Sequence, residues 1–256
     1  MTRALDPSRR ALLSRALALG MVSVLPGCDY ENLQHPDLAD RFLRLMSSWN
    51  DRVQAALFSG STLAPTFAPA QITRPPRFNA FYSIDYAPEV DPGSFKLALN
   101  GRITETAPWT LVQLRSLPQY SQITRLICIE GWCVVGQWSG PKLSDFLARI
   151  GADTRCRYVS FHCADGYYGS IDMPSALHPQ TILALDFLGA PLTAPFGAPV
   201  RLRIPTKLGF KNPKSIVAIG VTNAYPGGYW EDQGYNWFSG SSRRPANAPR
   251  DIRSRT

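Results

Sequence analysis

The stretch LICIEGWCVVGQWSG, residues 126–140, brings two thiols and a carboxylate close together in the chain. The preceding ITRLICIE alternates like a strand, so Cys128 and Glu130 are expected on the same face. Gly131 and Trp132 then end the strand, which places Cys128 beside a corner. A thiolate there could attack an electrophile or bind a soft metal, whereas a buried thiol would be inert. Residue type alone leaves both alternatives open.

The remaining cysteines define the possible disulfides. If Cys28 is lipidated, Cys128, Cys133, Cys156 and Cys163 remain, and Cys133 either pairs with Cys163 or is a core thiol. Cys156 and Cys163 lie roughly 23 Å apart along an extended strand, too far to bridge. A zinc site is not expected, because the Cys-x-x-Cys spacing typical of zinc-binding modules is absent from the sequence.

A Gly-bearing loop, CADGYYGSID, supplies further polar groups. Asp165, Tyr167 and Tyr168 follow a predicted strand, where carboxylates and hydroxyls can handle protons for a substrate. Ordinary loop packing is the alternative. Glu130 is expected to pair with Arg125 or Arg201.

Five cations crowd one short stretch, which favours an anionic small ligand: Arg201, Arg203, Lys207, Lys211 and Lys214. The formal net charge of the chain is +8, but part of the excess lies at its ends. Nucleic acid is not expected as a partner, because clustered basic residues are not interleaved with stacking aromatics.

The elements that must position these groups read as a mixed α+β domain. Short strands dominate, in ITRLICIE, RYVSFHC, YGSIDM, TILALDF, VRLRI and SIVAIGVT, with a hairpin turn at Asn100-Gly101. Short helices are predicted in TLVQLRSL, capped by Thr110, and in KLSDFLARI. His178 is expected to brace the fold by bonding backbone.

The chain divides into five predicted regions. Residues 1–28 are predicted to form a twin-arginine export signal. The same segment also resembles a lipoprotein signal, in which Cys28 would be the lipidated residue. Residues 29–58 are predicted to form an amphipathic helix. Residues 59–77 are a linker, residues 78–225 the catalytic domain, and residues 226–256 an aromatic, Gly-rich segment with a basic tail. The aromatic segment either covers a cofactor or packs over the core.

Five ordered motifs, FNAFYS, CIEGW, ALHPQTILAL, FGAPVRLRIP and KLGFKNPKSI, resemble the molybdopterin-binding domain of the sulfite oxidase family. The resemblance covers about residues 78–225. It implies a sulfite-oxidase-like mixed β-sheet fold with short helices and a molybdenum-molybdopterin cofactor. By that likeness, Cys128 is the thiolate ligand of molybdenum, which agrees with the preference of soft metals for sulfur.

The same resemblance assigns the other cofactor-binding residues. Asn79, Tyr82 and Ser83 match a loop that touches the pterin, and Arg201 matches an arginine that holds its phosphate end. Asn212, Pro213 and Lys214 match a cradle of backbone and lysine on the far side, although Pro213 has no N–H to donate. Cys163 occupies a cofactor-contact position where a threonine is expected, and Phe196 replaces an asparagine.

The resemblance implies an exported, periplasmic oxidoreductase that performs two-electron oxygen-atom transfer, with reduction of a sulfoxide or related S- or N-oxide as the first choice. Sulfite oxidation by the same cofactor is the alternative. A metal-free thiol enzyme using Cys128 and Cys133 and a silent binding protein are the rivals. The expected partners are a small-molecule substrate and a separate haem or quinone-linked electron-transfer protein in the membrane. The chain is expected to be a monomer, with Cys128, Asp165 and Tyr167 as catalytic residues.

Overall fold

A computed structural model describes residues 36–80 and 82–240. The predicted export signal and the basic tail beyond residue 240 lie outside these residues. The chain divides into two compact units, residues 1–48 and 49–256. Helix α1, Pro36–Leu57, runs from the first unit into the second. Among the described helices, none combines the length and apolar character needed to cross a bilayer.

Within the described residues, the second unit contains the strands and three further α-helices. The strands are β1 Lys96–Gly101, β2 Trp109–Thr110, β3 Tyr120–Ile127, β4 Cys133–Gly140, β5 Tyr158–Cys163, β6 Tyr168–Asp172, β7 Ile182–Ala184, β8 Asp186–Phe187, β9 Ala190–Pro191, β10 Arg201–Arg203 and β11 Ile216–Thr222. The helices are α2 Leu111–Ser116, α3 Leu143–Arg149 and α4 Met173–Ala176.

The strands form three sheets. The largest has the order β2-β1-β11-β5-β6, and its β1–β11 pair is parallel while its other pairs are antiparallel. A second sheet has the order β3-β4-β8-β9, and β10 pairs with β7 in a third. The predicted mixed α+β fold with short helices is therefore confirmed.

The main core lies between the largest sheet and the short helices. Leu143, Phe146 and Leu147 of α3 are fully buried in one cluster with strand residues such as Val159 and Ile219. A smaller cluster around Trp138 and Phe187 fills the space beneath the second sheet. Most of the predicted site residues lie on loops at the ends of the strands that pack in these two cores.

The predicted start of helix α2 is confirmed in detail. The Thr110 hydroxyl accepts a hydrogen bond from the Gln113 N–H at 3.2 Å, and the Gln113 side-chain oxygen accepts one from the Thr110 N–H at 2.8 Å. This reciprocal pair is a capping box, which satisfies two backbone donors that a helix N-terminus otherwise leaves unpaired.

The predicted hairpin turn at Asn100-Gly101 is wrong. Asn100 lies inside β1, opposite Gly220 of the parallel strand β11. The antiparallel partner of β1 is β2, which begins at Trp109. Gly101 has a φ of +82°, and a Cβ there would lie 2.2 Å from the Val221 oxygen. The glycine therefore permits a close approach between strands.

Strand β4 was missed by the sequence analysis because Gly136, Ser139 and Gly140 have low strand propensity. A Cβ on Gly140 would lie 1.9 Å from the Leu183 oxygen, so the residue that weakens the strand signal is the one that lets β4 approach β7. The segment TILALDF, predicted as one strand, is two strands in different sheets, with the break at Leu185.

Candidate active site

Cys128 lies at the entry to the loop between β3 and β4. Its N–H donates to the Trp132 oxygen at 2.9 Å, and the Gly131 N–H donates back to the Cys128 oxygen at 3.2 Å. The strand thus ends at Ile127, three residues before Glu130, where the alternation of ITRLICIE indicated its end. The Cys128 side chain is half-buried, and it lines a cavity of about 430 Å³.

Glu130 approaches Cys128 from the same loop. Its Oε2 lies 3.8 Å from the Cys128 Sγ and accepts a hydrogen bond from the Trp132 indole N–H at 2.7 Å. In the part of the chain that the structure describes, neither Arg125 nor Arg201 forms an ion pair with this carboxylate, so the predicted pairing is wrong. The carboxylate is held within its own turn because Trp132 offers a nearer donor.

Burial is the main cause that raises the pKa of the Cys128 thiol, and the charge of Glu130 adds to it. A metal-free thiol enzyme needs a lowered thiol pKa, because the thiolate is the nucleophile. The environment of Cys128 therefore works against that rival, whereas a bound metal cation would itself favour the thiolate form.

The structure brings most of the predicted site residues together around this cavity. Its lining includes Asn79, Tyr82, Ser83, Cys128, Asp165, Tyr167, Asn212, Pro213 and Lys214. They come from the segment before β1, from the β3–β4 and β5–β6 loops and from the chain between β10 and β11. Tertiary structure therefore gathers in one place residues that are up to 135 positions apart, since Lys214 follows Asn79 by 214 − 79 = 135.

Arg201 lies beneath the cavity and does not line it. Its guanidinium is fully buried, stacks over the Trp138 ring at 4.6 Å and donates one hydrogen bond to the Phe196 oxygen at 3.0 Å. Its Nε and second terminal nitrogen have no hydrogen-bond partner. Burial lowers the pKa of Arg201 to about 10. Buried donors without an acceptor are costly, so this arginine is suited to an anion.

Lys214 supplies a second cation at the cavity wall. Its Nζ donates to the Pro195 oxygen at 2.9 Å and lies 4.4 Å from the centre of the Phe78 ring. Burial, followed by the charge of Arg201, lowers the pKa of Lys214 to about 7. A bound phosphate would favour the charged forms of both groups, and in this respect the residues present fit the phosphate end of a molybdopterin.

Cys163 is buried close to Arg201 and Asp165, and it also does not line the cavity. Burial and the charge of Asp165 raise the pKa of its thiol, and the Lys214 N–H is directed to its sulfur. Cys128, Cys133, Cys156 and Cys163 are all free, so Cys133 does not pair with Cys163. Cys163 therefore contacts Lys214 and reaches the cavity only through its neighbours.

Asn212 and Pro213 form the floor between Arg201 and Lys214, with the Asn212 side chain bound to protein. Its Oδ1 accepts hydrogen bonds from the Arg203 guanidinium and the Ile204 N–H, both at 2.9 Å. Its Nδ2 donates to the Leu208 oxygen at 3.0 Å. This side chain shapes the cradle by fixing its backbone.

The three polar residues of the β5–β6 loop differ in their hydrogen-bond partners and in whether they line the cavity. They are Asp165, Tyr167 and Tyr168. Asp165 accepts a hydrogen bond from the Tyr167 N–H at 3.0 Å, and its charge adds to burial in raising the pKa of Tyr82. Tyr167 lines the cavity, and its hydroxyl donates to the Phe210 oxygen at 2.6 Å. The Tyr168 hydroxyl donates to Asp232 at 2.5 Å, outside the cavity lining.

Three of the five clustered cations are used within the protein. Arg203 bonds Asn212, Thr124 and the Arg125 oxygen, and it is fully buried. Lys207 lies 3.3 Å from Asp172, and Lys211 forms a buried ion pair with Glu231. The expectation of an anion site therefore applies only to Arg201 and Lys214.

His178 braces the fold, as predicted. Its Nε2 lies 3.1 Å from the Thr62 oxygen, and its Nδ1 accepts a hydrogen bond from the Gln180 N–H at 3.2 Å. The ring is fully buried, and it fastens the segment before β1 to the chain after α4.

The sequence analysis missed several groups that line the cavity. The Arg77 guanidinium stacks over the Trp132 ring at 4.7 Å, and Trp230 reaches the cavity from the aromatic segment after β11. That segment was left open between covering a cofactor and packing on the core. Phe238 is buried, so packing within the fold is confirmed, whereas Trp230 lines the cavity and its covering of a cofactor stays a prediction.

Large parts of this chain match a family model and proteins of known sequence. A family model described as oxidoreductase molybdopterin binding domain matches residues 84–230. The putative protein-methionine-sulfoxide reductase subunit YedZ1 of Azospira oryzae is 52% identical over 238 residues, which are 92% of this chain and 88% of that protein. The protein-methionine-sulfoxide reductase catalytic subunit MsrP of Xanthomonas campestris is 38% identical over 144 residues, 49% of this chain and 45% of that protein.

A solved structure supports the fold. The crystal structure of the sulfane dehydrogenase SoxCD from Paracoccus pantotrophus aligns with a TM-score of 0.51 over 54% of this chain and 40% of that chain. The sequence identity is 20%, so this likeness concerns the fold alone.

Proposed function

The chain belongs to the family of oxidoreductases with a molybdopterin-binding domain, and we propose that it reduces a sulfoxide or a related S- or N-oxide. The observation that carries this proposal is the position of Cys128. Its sulfur faces a cavity whose other wall contains Lys214, with the unpaired donors of Arg201 beneath. One soft ligand and an anion site in the same cavity match a metal–dithiolene group that ends in a phosphate.

Named residues would hold this cofactor. Cys128 would ligate molybdenum, while Arg201 and Lys214 would neutralise the phosphate end. The loop of Asn79, Tyr82 and Ser83 would contact the pterin on one side, and the backbone of Asn212 and Pro213 on the other. Molybdenum bound to the pterin supplies two-electron oxygen-atom transfer.

Residues of this chain must supply the protons that the reaction consumes. Reduction of a sulfoxide consumes two electrons and two protons and yields a sulfide and water. Asp165, whose side chain lines the cavity, is the group of this chain suited to pass protons into it. Tyr167 contributes its ring, because its hydroxyl is bonded to Phe210.

The walls favour a substrate with apolar substituents. Phe78, Trp132 and Trp230 present aromatic surface, and Arg77 offers a cation to the negative oxygen of an S–O bond. Sulfite, a small dianion, would need several free cations around it. Arg203, Lys207 and Lys211 are bonded elsewhere, which favours the sulfoxide over sulfite oxidation.

Location and electron supply are part of the proposal. The arginine pair at residues 9–10 supports export to the periplasm, with Cys28 as the lipid anchor. The names of the similar proteins from Azospira and Xanthomonas describe them as subunits, which supports a separate partner for this chain. A haem or quinone-linked protein in the membrane would deliver the electrons.

Metal content and two activity assays test the proposal. Full-length protein produced with its leader should carry stoichiometric molybdenum and should oxidise a reduced viologen dye in the presence of a sulfoxide. Cys128→Ser should lose both properties, whereas Cys133→Ser, at the exposed thiol on the far side of the loop, should keep both. Protein without molybdenum, or protein that turns over sulfite but no sulfoxide, would contradict the proposal.

A further inference from the structure

A second cavity, of about 600 Å³, adjoins the end of β3. Arg125 and Ile127 line it, whereas Cys128, the next residue, lines the first cavity. The two cavities have no lining residue in common. The second cavity is therefore separate from the site described above.

The walls of the second cavity are mostly apolar and contain three phenylalanine rings. The apolar lining comprises Leu57, Phe58, Leu63, Pro65, Phe67, Ile127, Pro205 and Phe238. Both this composition and this volume are typical of sites that bind small molecules rather than of surface irregularities.

Hydrogen bonds hold these walls in place. Gln180 bonds both the N–H and the oxygen of Ala64, at 2.7 and 3.1 Å, and the Phe67 N–H donates to the Ile123 oxygen at 3.0 Å. On the opposite wall, the Phe238 N–H donates to Asp51 at 2.6 Å. A preformed cavity lowers the entropy cost of binding a ligand.

Two polar groups in this apolar lining have no polar partner. The half-buried Arg125 guanidinium lies 6.0 Å from the centre of the Phe67 ring and forms no ion pair within residues 36–80 and 82–240. The Thr206 hydroxyl oxygen is buried without a hydrogen-bond partner. A guanidinium fork and a hydroxyl in an apolar cavity together suit an acceptor that carries negative charge.

We propose that this cavity binds an anionic amphiphile, a hydrocarbon chain that ends in a carboxylate or phosphate. The head group accepts hydrogen bonds from Arg125 and Thr206, and the chain packs against Phe58 and Phe238. The chain then leaves over Leu57 and Leu63, whose side chains are 81% and 55% exposed. The ligand is either a free fatty acid or an anionic phospholipid at a bilayer surface.

Calorimetry with laurate, below its micelle concentration, tests the site on full-length protein. Laurate should bind with a 1:1 stoichiometry, and dodecanol, with the same chain but no charge, at least tenfold more weakly. Arg125→Gln should weaken laurate binding at least tenfold and Thr206→Val several-fold. Arg52→Gln, at an exposed arginine of α1 outside the lining, should leave it unchanged.

Sedimentation with phosphatidylglycerol vesicles distinguishes the two sources. Co-sedimentation that Arg125→Gln abolishes assigns the cavity to a bilayer lipid, and laurate binding without co-sedimentation assigns it to a free anion. Laurate and vesicle binding that are both absent, or both unchanged in Arg125→Gln and Thr206→Val, would overturn the proposal. None of these measurements depends on molybdenum or on sulfoxide turnover.

Discussion

The Tyr167 hydroxyl donates its hydrogen bond to the backbone oxygen of Phe210, 2.6 Å away. The proton of this phenol is therefore committed to a backbone acceptor, although both residues line the cavity. Burial, chiefly, raises the pKa of Tyr167, so the group keeps its proton at any physiological pH. The Asp165 carboxylate, two residues earlier, lines the cavity and accepts a hydrogen bond from the Tyr167 N–H.

Replacing these two residues should therefore have different effects. Tyr167→Phe should cost about 1 kcal/mol in the free energy of unfolding, by loss of one hydrogen bond, and should leave the sulfoxide turnover rate within about twofold. Asp165→Asn should lower that rate by about 100-fold, the usual contribution of a proton-transfer group, with the molybdenum content unchanged. Equal losses of rate in both variants would contradict the assignment.

Arg201 is expected to lower the stability of the cofactor-free protein and to strengthen binding of the cofactor. Arg201→Met should stabilise the cofactor-free protein by about 1–3 kcal/mol, because it removes a buried cation with unpaired donors, and should reduce molybdopterin retention. Arg203→Met is the matched control. Since Arg203 bonds three oxygens of the protein, its loss should destabilise the cofactor-free protein by about 3 kcal/mol. Urea unfolding and pterin fluorescence measure the two effects.

The stability of the cofactor-free protein should rise with pH above 7. Burial lowers the pKa of Lys214 to about 7, whereas the unfolded chain holds that proton up to the ordinary lysine pKa of 10.5. Unfolding between these values therefore takes up a proton, so raising the pH favours the folded state. Lys207 acts in the same direction, since burial lowers its pKa to about 7 as well.

Lys214→Met should reduce the slope of stability against pH between 7 and 10 by about 1.4 kcal/mol per pH unit. Urea unfolding at several pH values measures it. Lys96→Met, at an exposed lysine of β1, should leave the slope unchanged. A slope that is the same in wild type and Lys214→Met would show that Lys214 remains charged when buried.

The buried pair of Lys211 and Glu231 should fasten the aromatic segment to the catalytic domain. Both side chains are 2% exposed. Lys211→Met alone leaves a buried carboxylate unpaired and should destabilise the protein by about 3–5 kcal/mol. The double replacement Lys211→Met with Glu231→Leu should recover most of that loss. If the single and double variants are equally destabilised, the charge of Glu231 is not the cause.

Gly101 should resist substitution for two reasons at once. Gly101→Ala should cost about 3 kcal/mol or more, because its φ of +82° is unfavourable for alanine and the new Cβ would meet the Val221 oxygen. Gly189→Ala separates the two causes. Its φ is +85° but the space around it is open, so the cost there should be about 1 kcal/mol. Thermal unfolding of both variants gives the comparison.

Local patterns in the sequence were sufficient for much of the fold. The capping box at Thr110 and the alternation in RYVSFHC and SIVAIGVT depend on neighbours in the chain, and the structure has those elements where they were predicted. Strand β4 was missed because its glycines weaken the local strand pattern, and the role of Gly101 was missed because it concerns a strand distant in sequence. Gly140 and Gly101 are glycines so that Leu183 and Val221 can approach them, and this requirement is invisible locally.

The sequence by itself determined which reactive and charged groups are available. These are a thiol near a strand end, a polar loop and five clustered cations. Only the tertiary structure decided which of these groups are free to act. Arg203, Lys207 and Lys211 have partners inside the fold, whereas Lys214 lines the cavity of Cys128 and Arg201 is buried near Lys214 with two unpaired donors. The physical reason is that hydrogen bonding and burial depend on tertiary contacts between side chains. A charge pattern along the chain does not specify those contacts.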